Sequence, residues 1–136
     1  MSPSEIDHIR YRLEKSIETL KEAELLLKAG FLTGVVNRIY YACFYAVWAL
    51  LLTEGHSSSK HSGVMSLFNK LWIAPERLPR EMGRFYRIMF DERQQGDYEE
   101  LAEFEPAVVT SWLAEARAFV DQIKAWISEN KGIDLG

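Results

Sequence analysis

The chain has 136 residues, 48% of them hydrophobic and 26% charged, and this balance is that of one ordinary globular domain rather than a disordered segment. The formal net charge is −4 at pH 7, so the field of the whole molecule does not attract nucleic acid. Any contact with RNA would therefore have to use a local basic patch.

A first helix is predicted from Pro3 to about Ala29. Ser2 can cap it, Pro3 suits its first position, Glu5 completes a capping box, and Gly30 is a candidate left-handed cap at its end. No basic region followed by an apolar run precedes it, so no secretory signal is recognised. Its apolar side chains recur at the helical period, at Ile6, Ile9, Leu13, Ile17, Leu20 and Leu27.

The second helix should start near Thr33, end before Gly55 and be apolar on nearly every side. Its longest apolar stretch, residues 39–52, is shorter than the roughly 18–20 residues that span a bilayer, so we predict a buried helix and no membrane contact. Covering such a helix on all sides in a small domain favours a homodimer. The single cysteine, Cys43, is predicted to be a core residue, and it excludes a disulfide framework and fits a reducing, cytoplasmic location.

The rest of the chain continues the helical pattern. A fourth helix should run over residues 78–96 and a fifth over residues 106–128, joined by an acidic connector at 97–105. We therefore predict an all-α, up-and-down bundle of about five helices that forms one domain over residues 1–136. The short third helix should end before Ala74-Pro75. Four of its side chains are predicted to face the core: Val64, Leu67, Phe68 and Leu71.

Arg93 is a charged residue on the apolar face of the fourth helix. On a helical wheel it falls between Met82 and Tyr86, where an unpaired charge would be costly. Asp97 lies four residues later and can pair with Arg93 if the helix continues through Gly96. A structural ion pair at the helix end is the favoured interpretation, and the alternative is a functional cleft lined by Arg93, Asp97 and Tyr98.

Four arginines, Arg77, Arg80, Arg84 and Arg87, fall within one quadrant of the same helix. Arginines at this spacing can bind a phosphate backbone or an acidic partner. Several acidic residues lie nearby, however, so a solvated face is the favoured interpretation.

The second helix carries polar residues near its start. Asn37 and Tyr41 share one side, and Arg38 lies on the neighbouring side. Such residues often satisfy a hydrogen-bond network between helices, and the alternative is that they line the same cleft as Arg93. His61 is interpreted as a capping or core-edge residue. No second histidine lies at metal-ligand spacing and there is no glycine-rich phosphate loop, so we predict neither a metal nor a cofactor.

These residues together resemble the HEPN superfamily, in particular its small stand-alone prokaryotic members, over essentially the whole chain. The asparagine-arginine block and the arginine-to-aspartate-tyrosine block are the more specific parts of the resemblance. The segments that carry it are Leu25-Leu26-Leu27-Lys28-Ala29-Gly30-Phe31, Asn37-Arg38-Ile39-Tyr40-Tyr41-Ala42-Cys43-Phe44-Tyr45-Ala46, Lys60-His61-Ser62-Gly63-Val64 and Arg93-Gln94-Gln95-Gly96-Asp97-Tyr98.

The resemblance implies a dimeric helical bundle with its signature residues in a cleft at the dimer interface. Catalytic HEPN proteins are metal-independent endoribonucleases, in which an arginine is followed four to six residues later by a histidine that acts on the ribose 2′-hydroxyl. Many are toxins, paired with a small nucleotidyltransferase-like antitoxin that can modify a tyrosine just after that histidine. Here Arg93 matches the arginine and Tyr98 roughly matches the tyrosine.

The motif histidine is missing, because no histidine follows His61 and Asp97 occupies the expected neighbourhood. Asp97 would have to act as the base while Arg93 stabilises the developing charge, and no complementary acid accompanies them. The sequence therefore predicts weak or absent RNA cleavage by the isolated protein. Two functions stay open: a toxin–antitoxin or defence component related to the ribonuclease toxins, and a non-catalytic module that binds a nucleotide or a protein.

Overall fold

The computed structural model describes residues 1–98 and 103–136, apart from the side chain of Tyr98. The all-α prediction is confirmed for these ranges, in which the chain forms helices and no β-strand. The elements are α1 (Pro3–Ala29), α2 (Leu32–Leu52), α3 (His61–Phe68), a π-helical turn (Asn69–Ile73), α4 (Arg80–Tyr98) and α5 (Pro106–Lys131).

α1 begins and ends as its sequence predicts. The Ser2 hydroxyl accepts a hydrogen bond from the Glu5 N–H at 3.2 Å and donates one to the Glu5 carboxylate at 3.1 Å. At the other end Gly30 adopts a left-handed φ of 83°, which lets the Phe31 N–H donate to the Leu26 carbonyl at 3.0 Å. Because α2 starts after so short a turn, α1 and α2 form an antiparallel hairpin.

α2 is the central helix of the bundle and contacts α1, α3, α4 and α5. Its mean hydropathy of 1.5 and its length of 21 residues would allow it to cross a membrane, but 67% of that stretch is buried inside the bundle, as in a core helix. Cys43 is fully buried there, and burial raises the pKa of its thiol. The predictions of a buried helix and a core cysteine are confirmed. Helices of the same chain cover most of α2, so its all-round apolar character does not require a partner.

The segment after α3 departs from the predicted helical register. The Ala74 N–H donates to the Asn69 carbonyl, five residues earlier, at 2.8 Å, which is the bond of a π-helical turn. Leu71 packs against the core but is only partly buried, whereas the neighbouring Trp72 is fully buried. The prediction assumed 3.6 residues per turn throughout and missed the buried Trp72.

The arginine stripe is an exposed, ion-paired surface, as predicted, except for its first member. α4 begins at Arg80, so Arg77 precedes the helix and its place in the stripe is wrong. The other three arginines are more than 60% exposed, and each pairs with an acid three or four residues away: Arg80 with Glu76, Arg84 with Glu81 and Arg87 with Asp91.

Arg77 instead joins a compact cluster at one end of the bundle. Its guanidinium donates two hydrogen bonds to the Glu54 carboxylate and lies 4.7 and 5.0 Å from the ring centroids of Trp72 and Trp126. Lys131, at the end of α5, places its Nζ 2.9 Å from the same carboxylate. The pKa of Glu54 is lowered to about 2, mainly by the hydrogen bonds from Arg77, so the side chain is an anion at neutral pH. It joins the end of α2 to the segment before α4, through Arg77, and to the end of α5, through Lys131.

Candidate functional site

The C-terminal end of α4 carries the first part of the site. The predicted helix end at Gly96, with Asp97 in a connector, is wrong, because α4 continues through Tyr98. Gly96 here allows close packing rather than a helix stop: a Cβ at this position would lie 3.0 Å from the Phe104 ring and 3.4 Å from Thr33 Cγ2. The helix is thus two residues longer than predicted, and Asp97 lies on the same side of it as Arg93.

Arg93 and Asp97 form the predicted ion pair. Arg93 Nη1 lies 3.7 Å from Asp97 Oδ2, and the two side chains are 8% and 27% exposed. The arginine is therefore almost fully withdrawn from water while its partner reaches the surface. A buried guanidinium needs further compensation, and the neighbouring helix supplies it.

Asn37 and Arg38 extend this pair into a network across three helices. The Asn37 amide donates to both Asp97 oxygens, at 3.2 and 3.3 Å. Arg38 donates from Nε and Nη2 to the side-chain Oδ1 of Asn37, at 3.0 and 2.7 Å. Its Nη1 lies 3.3 Å from Glu22 Oε1 on α1. The two interpretations of Asn37 and Arg38 therefore describe one arrangement: an inter-helix network that also contains Arg93 and Asp97.

Two tyrosines of α2 support the arginines. The Arg93 Cζ lies 4.6 Å from the ring centroid of Tyr40 and 5.8 Å from that of Tyr41, and the Arg38 Cζ lies 5.2 Å from the Tyr41 ring. These distances are those of cation–π contacts. Burial raises the pKa of Tyr40 to about 12, against the opposing effect of the Arg93 charge, so Tyr40 is a neutral hydroxyl at physiological pH.

His61 also belongs to this site. The sequence indicated a capping or core-edge residue and did not place it there. Its Nδ1 lies 3.1 Å from the Tyr40 hydroxyl, and its ring centroid lies 4.4 Å from that of Phe44. Burial, and then the charge of Arg93, lower the pKa of His61. We call the assembled residues the Arg93 cluster: Asn37, Arg38, Tyr40, Tyr41, His61, Arg93 and Asp97.

The loop before α3 fixes where His61 lies. The Lys60 N–H donates to the Ser58 hydroxyl at 3.2 Å. A Cβ on Gly63 would lie 2.1 Å from Ser58 Oγ and 2.9 Å from Ser58 Cβ, so rotating the serine side chain would not relieve both contacts. Glycine at position 63 therefore allows the loop to pack against the first turn of α3, which begins at His61.

Tyr98 is the last residue of α4, and its side chain lies outside the described residues. Within residues 1–98 and 103–136, no group of three or more His, Cys, Asp or Glu side chains is placed to hold a metal ion. The chemistry available from the described part of the cluster is thus that of two guanidinium groups, a carboxylate, an imidazole and phenol hydroxyls.

The all-α fold agrees with one family of helical proteins. The family model for the HEPN domain matches residues 9–126, and the chain therefore belongs to the HEPN family.

Similar proteins occur in bacteria and archaea. A Thermotoga maritima protein named "UPF0332 protein" is 46% identical over 90% of this chain and 93% of its own length. Two Methanocaldococcus jannaschii proteins are named "Putative toxin MJ0142" and "Putative toxin MJ0605". The first is 34% identical over 87% of this chain and 81% of its own length, and the second is 31% identical over 90% and 91%.

Proposed function

We propose that this HEPN protein is the toxin component of a toxin–antitoxin or defence system and that it cleaves RNA at the Arg93 cluster without a metal ion. The names of the two archaeal relatives support the toxin role. The chemistry of the cluster supports a phosphate-containing substrate, because guanidinium groups recognise phosphate through paired hydrogen bonds.

The observation that carries the proposal is the state of Arg93. Its side chain is 8% exposed, and its Nε is buried without a hydrogen-bond partner among the described residues. An unsatisfied buried donor is costly, and a catalytic role is one of the explanations for such a group in a native protein. Arg12, Trp72 and Tyr86 also carry one, but of the four only Arg93 belongs to the cluster. A cation that the fold has already desolvated and oriented can stabilise a phosphorane without further reorganisation.

Asp97 is poorly placed to act as a free base. Both of its oxygens accept hydrogen bonds from Asn37, and one faces Arg93. These contacts favour a positioning role, in which Asp97 orients the Arg93 guanidinium and neutralises part of its charge.

The test is cleavage of total RNA by the purified protein in the presence of a chelator. The missing motif histidine predicted weak or absent cleavage, whereas the proposal expects the wild-type protein to cleave. Arg93→Ala and Arg93→Lys should lose at least about 10²-fold in rate, because the oriented guanidinium is removed or replaced by a point charge. Arg87→Ala is the matched control, because Arg87 is an exposed arginine of the same helix and also pairs with an aspartate four residues later.

The outcomes separate the candidate functions. Cleavage that is equal in wild type and Arg93→Ala would place the activity elsewhere. RNA binding without cleavage, lost in Arg93→Ala, would support the second candidate, a non-catalytic nucleotide- or protein-binding module. The occupied oxygens of Asp97 favour that second candidate if no other residue supplies a base.

A toxin of this kind implies an antitoxin, for which the family resemblance suggests a minimal nucleotidyltransferase. Inducing the protein alone should slow growth of the host, and co-expression of a nucleotidyltransferase encoded beside it should restore growth. Growth arrest that the Arg93→Ala variant also causes would argue against RNA cleavage as its origin.

We also propose a homodimer, formed through the partly exposed side of α2. Arg38, Tyr41, Tyr45 and Trp48 follow one another at three- and four-residue spacing and form one continuous face, and each is only partly buried within the chain. Partly buried aromatic rows beside an arginine are typical of protein interfaces. The face also borders the Arg93 cluster, so a second copy would cover one side of the site.

Light scattering at micromolar concentration should give about twice the 15.7 kDa chain mass. Tyr45→Glu should shift the protein to monomer, because it would bury a charge in the interface. Ile88→Glu, at an exposed residue of α4, should leave the mass unchanged. A wild-type mass of one chain would contradict the dimer.

A further inference from the structure

We infer that His61 is the base that takes the proton from the ribose 2′-hydroxyl at this site, although it lies on a different helix from Arg93. The inference rests on the proposed RNA cleavage and deepens it by naming the residue that replaces the missing motif histidine.

Tyr40 connects His61 to Arg93. The Tyr40 hydroxyl lies 3.1 Å from His61 Nδ1, and the ring of the same tyrosine lies 4.6 Å from the Arg93 Cζ. Tyr40 is fully buried in α2, where close packing limits the movement of its side chain. One buried side chain therefore contacts both the imidazole and the guanidinium.

The hydrogen bond to Tyr40 also bears on which ring nitrogen can act. Among the described residues, the ring of His61 makes its hydrogen bond through Nδ1, and Nε2 has no such partner. A hydroxyl oxygen can accept a hydrogen bond. The Nδ1–H group of His61 can therefore donate to the Tyr40 hydroxyl, which leaves the lone pair on Nε2 free. This tautomer is the one that a general base requires.

The surroundings of the ring favour its neutral form. His61 contacts Tyr40, Tyr41 and Phe44 of α2, and Arg93 of α4 is close enough for its charge to lower the His61 pKa in addition to the larger effect of burial. An imidazole that is neutral at physiological pH is ready to accept a proton. Asp97 differs, because its oxygens already serve Asn37 and Arg93.

The step balances with the groups present and water. His61 Nε2 accepts the proton of the 2′-hydroxyl, the 2′-oxygen forms a bond to phosphorus, and the bond from phosphorus to the 5′-oxygen breaks. Arg93 stabilises the negative charge on the phosphorane oxygens. The departing 5′-oxygen takes a proton from water, and the hydroxide so formed takes the proton from His61, which restores the neutral imidazole. The products carry a 2′,3′-cyclic phosphate and a 5′-hydroxyl.

The test compares His61→Asn and His61→Gln with His56→Asn, a matched control at a partly buried histidine in the loop before α3. Cleavage of total RNA with chelator should fall by about 10²- to 10⁴-fold in both His61 variants and stay unchanged in His56→Asn. Binding of a 2′-O-methyl oligoribonucleotide, which cannot be cleaved by this route, should change less than about twofold because Arg93 remains. The wild-type rate should fall at acidic pH, as His61 becomes protonated.

A second readout does not depend on the rate. In nitrogen-15 spectra the His61 ring should be the Nδ1–H tautomer at neutral pH, and Tyr40→Phe should change that tautomer balance. Loss of cleavage in Arg93→Ala but not in the His61 variants would overturn the role of His61 and leave the proposed function intact. A wild-type protein that does not cleave RNA would overturn both. A His61 ring with Nε2–H in the wild type would also contradict the inference.

Discussion

Replacing Arg93 by alanine should lower the free energy of unfolding by about 1–3 kcal/mol. The change removes the contact with Asp97, removes the cation from above Tyr40 and leaves a space where a long side chain was buried. Urea denaturation at neutral pH measures it directly. An unchanged midpoint would mean that Arg93 faces water rather than the interior.

The same helix provides the comparison for this experiment. Arg87 and Asp91 have the same spacing as Arg93 and Asp97, but the Arg87 side chain is 64% exposed where that of Arg93 is 8% exposed. Arg87→Ala should therefore change the stability by no more than about 0.5 kcal/mol. Equal effects of the two substitutions would contradict the burial of Arg93 as the cause.

Replacing Glu54 by glutamine should destabilise the protein by about 1–2 kcal/mol at pH 7, after discounting the lowered pKa for partial solvent exposure. Arg77 and Lys131 would lose their shared anion, which holds the end of α2 to the segment before α4 and to the end of α5. Denaturation of wild type and variant in parallel measures the difference.

The pH dependence of this difference has a definite sign. The pKa of Glu54 falls from an ordinary 4.5 to about 2 in the folded protein, so its contribution is complete above the unfolded value. The difference between wild type and Glu54→Gln should shrink as the pH falls from about 4.5 towards about 2. Asp91→Asn, at an exposed pair, should show a change within about 0.5 kcal/mol. A Glu54→Gln effect that stays constant from neutral pH to pH 2 would exclude the ion cluster as its source.

The parts of the fold that depend on local chemistry could be predicted from the sequence. The Ser2-Pro3-Glu5 signals and Gly30 fixed both ends of α1, because caps act within one turn of the chain. The end of α4 could not be predicted in this way. Glycine is a residue type that often ends helices, and the close packing of Gly96 against Phe104 and Thr33 depends on distant parts of the chain. The π-helical turn was missed for a related reason, since no residue type marks it.

In the candidate site, too, contacts within one helix could be predicted from the sequence and contacts between helices could not. The Arg93–Asp97 pair follows from four-residue spacing on one helix, and the structure confirms that contact. For Asn37 the sequence left two alternatives open, a hydrogen-bond network between helices and a cleft shared with Arg93. Its contact with Asp97 requires α2 and α4 to be adjacent, and the sequence does not show that adjacency. His61 was set aside because its neighbours Tyr40 and Arg93 come from two other helices. The aromatic residues Tyr40, Tyr41 and Phe44 of α2 were the sign in the sequence of a surface for its ring.

The tight packing at Gly96 has a consequence for how this protein tolerates mutation. Any side chain at position 96 would have to displace the Phe104 ring, and the displacement would be felt one residue away, at Asp97. Alanine or serine scanning of α4 should therefore find position 96 sensitive to volume, whereas its exposed neighbour Gln94 accepts changes of size. In a library selected for loss of the proposed RNA cleavage, substitutions at Gly96 should be recovered alongside those at Arg93, although Gly96 carries no functional group of its own.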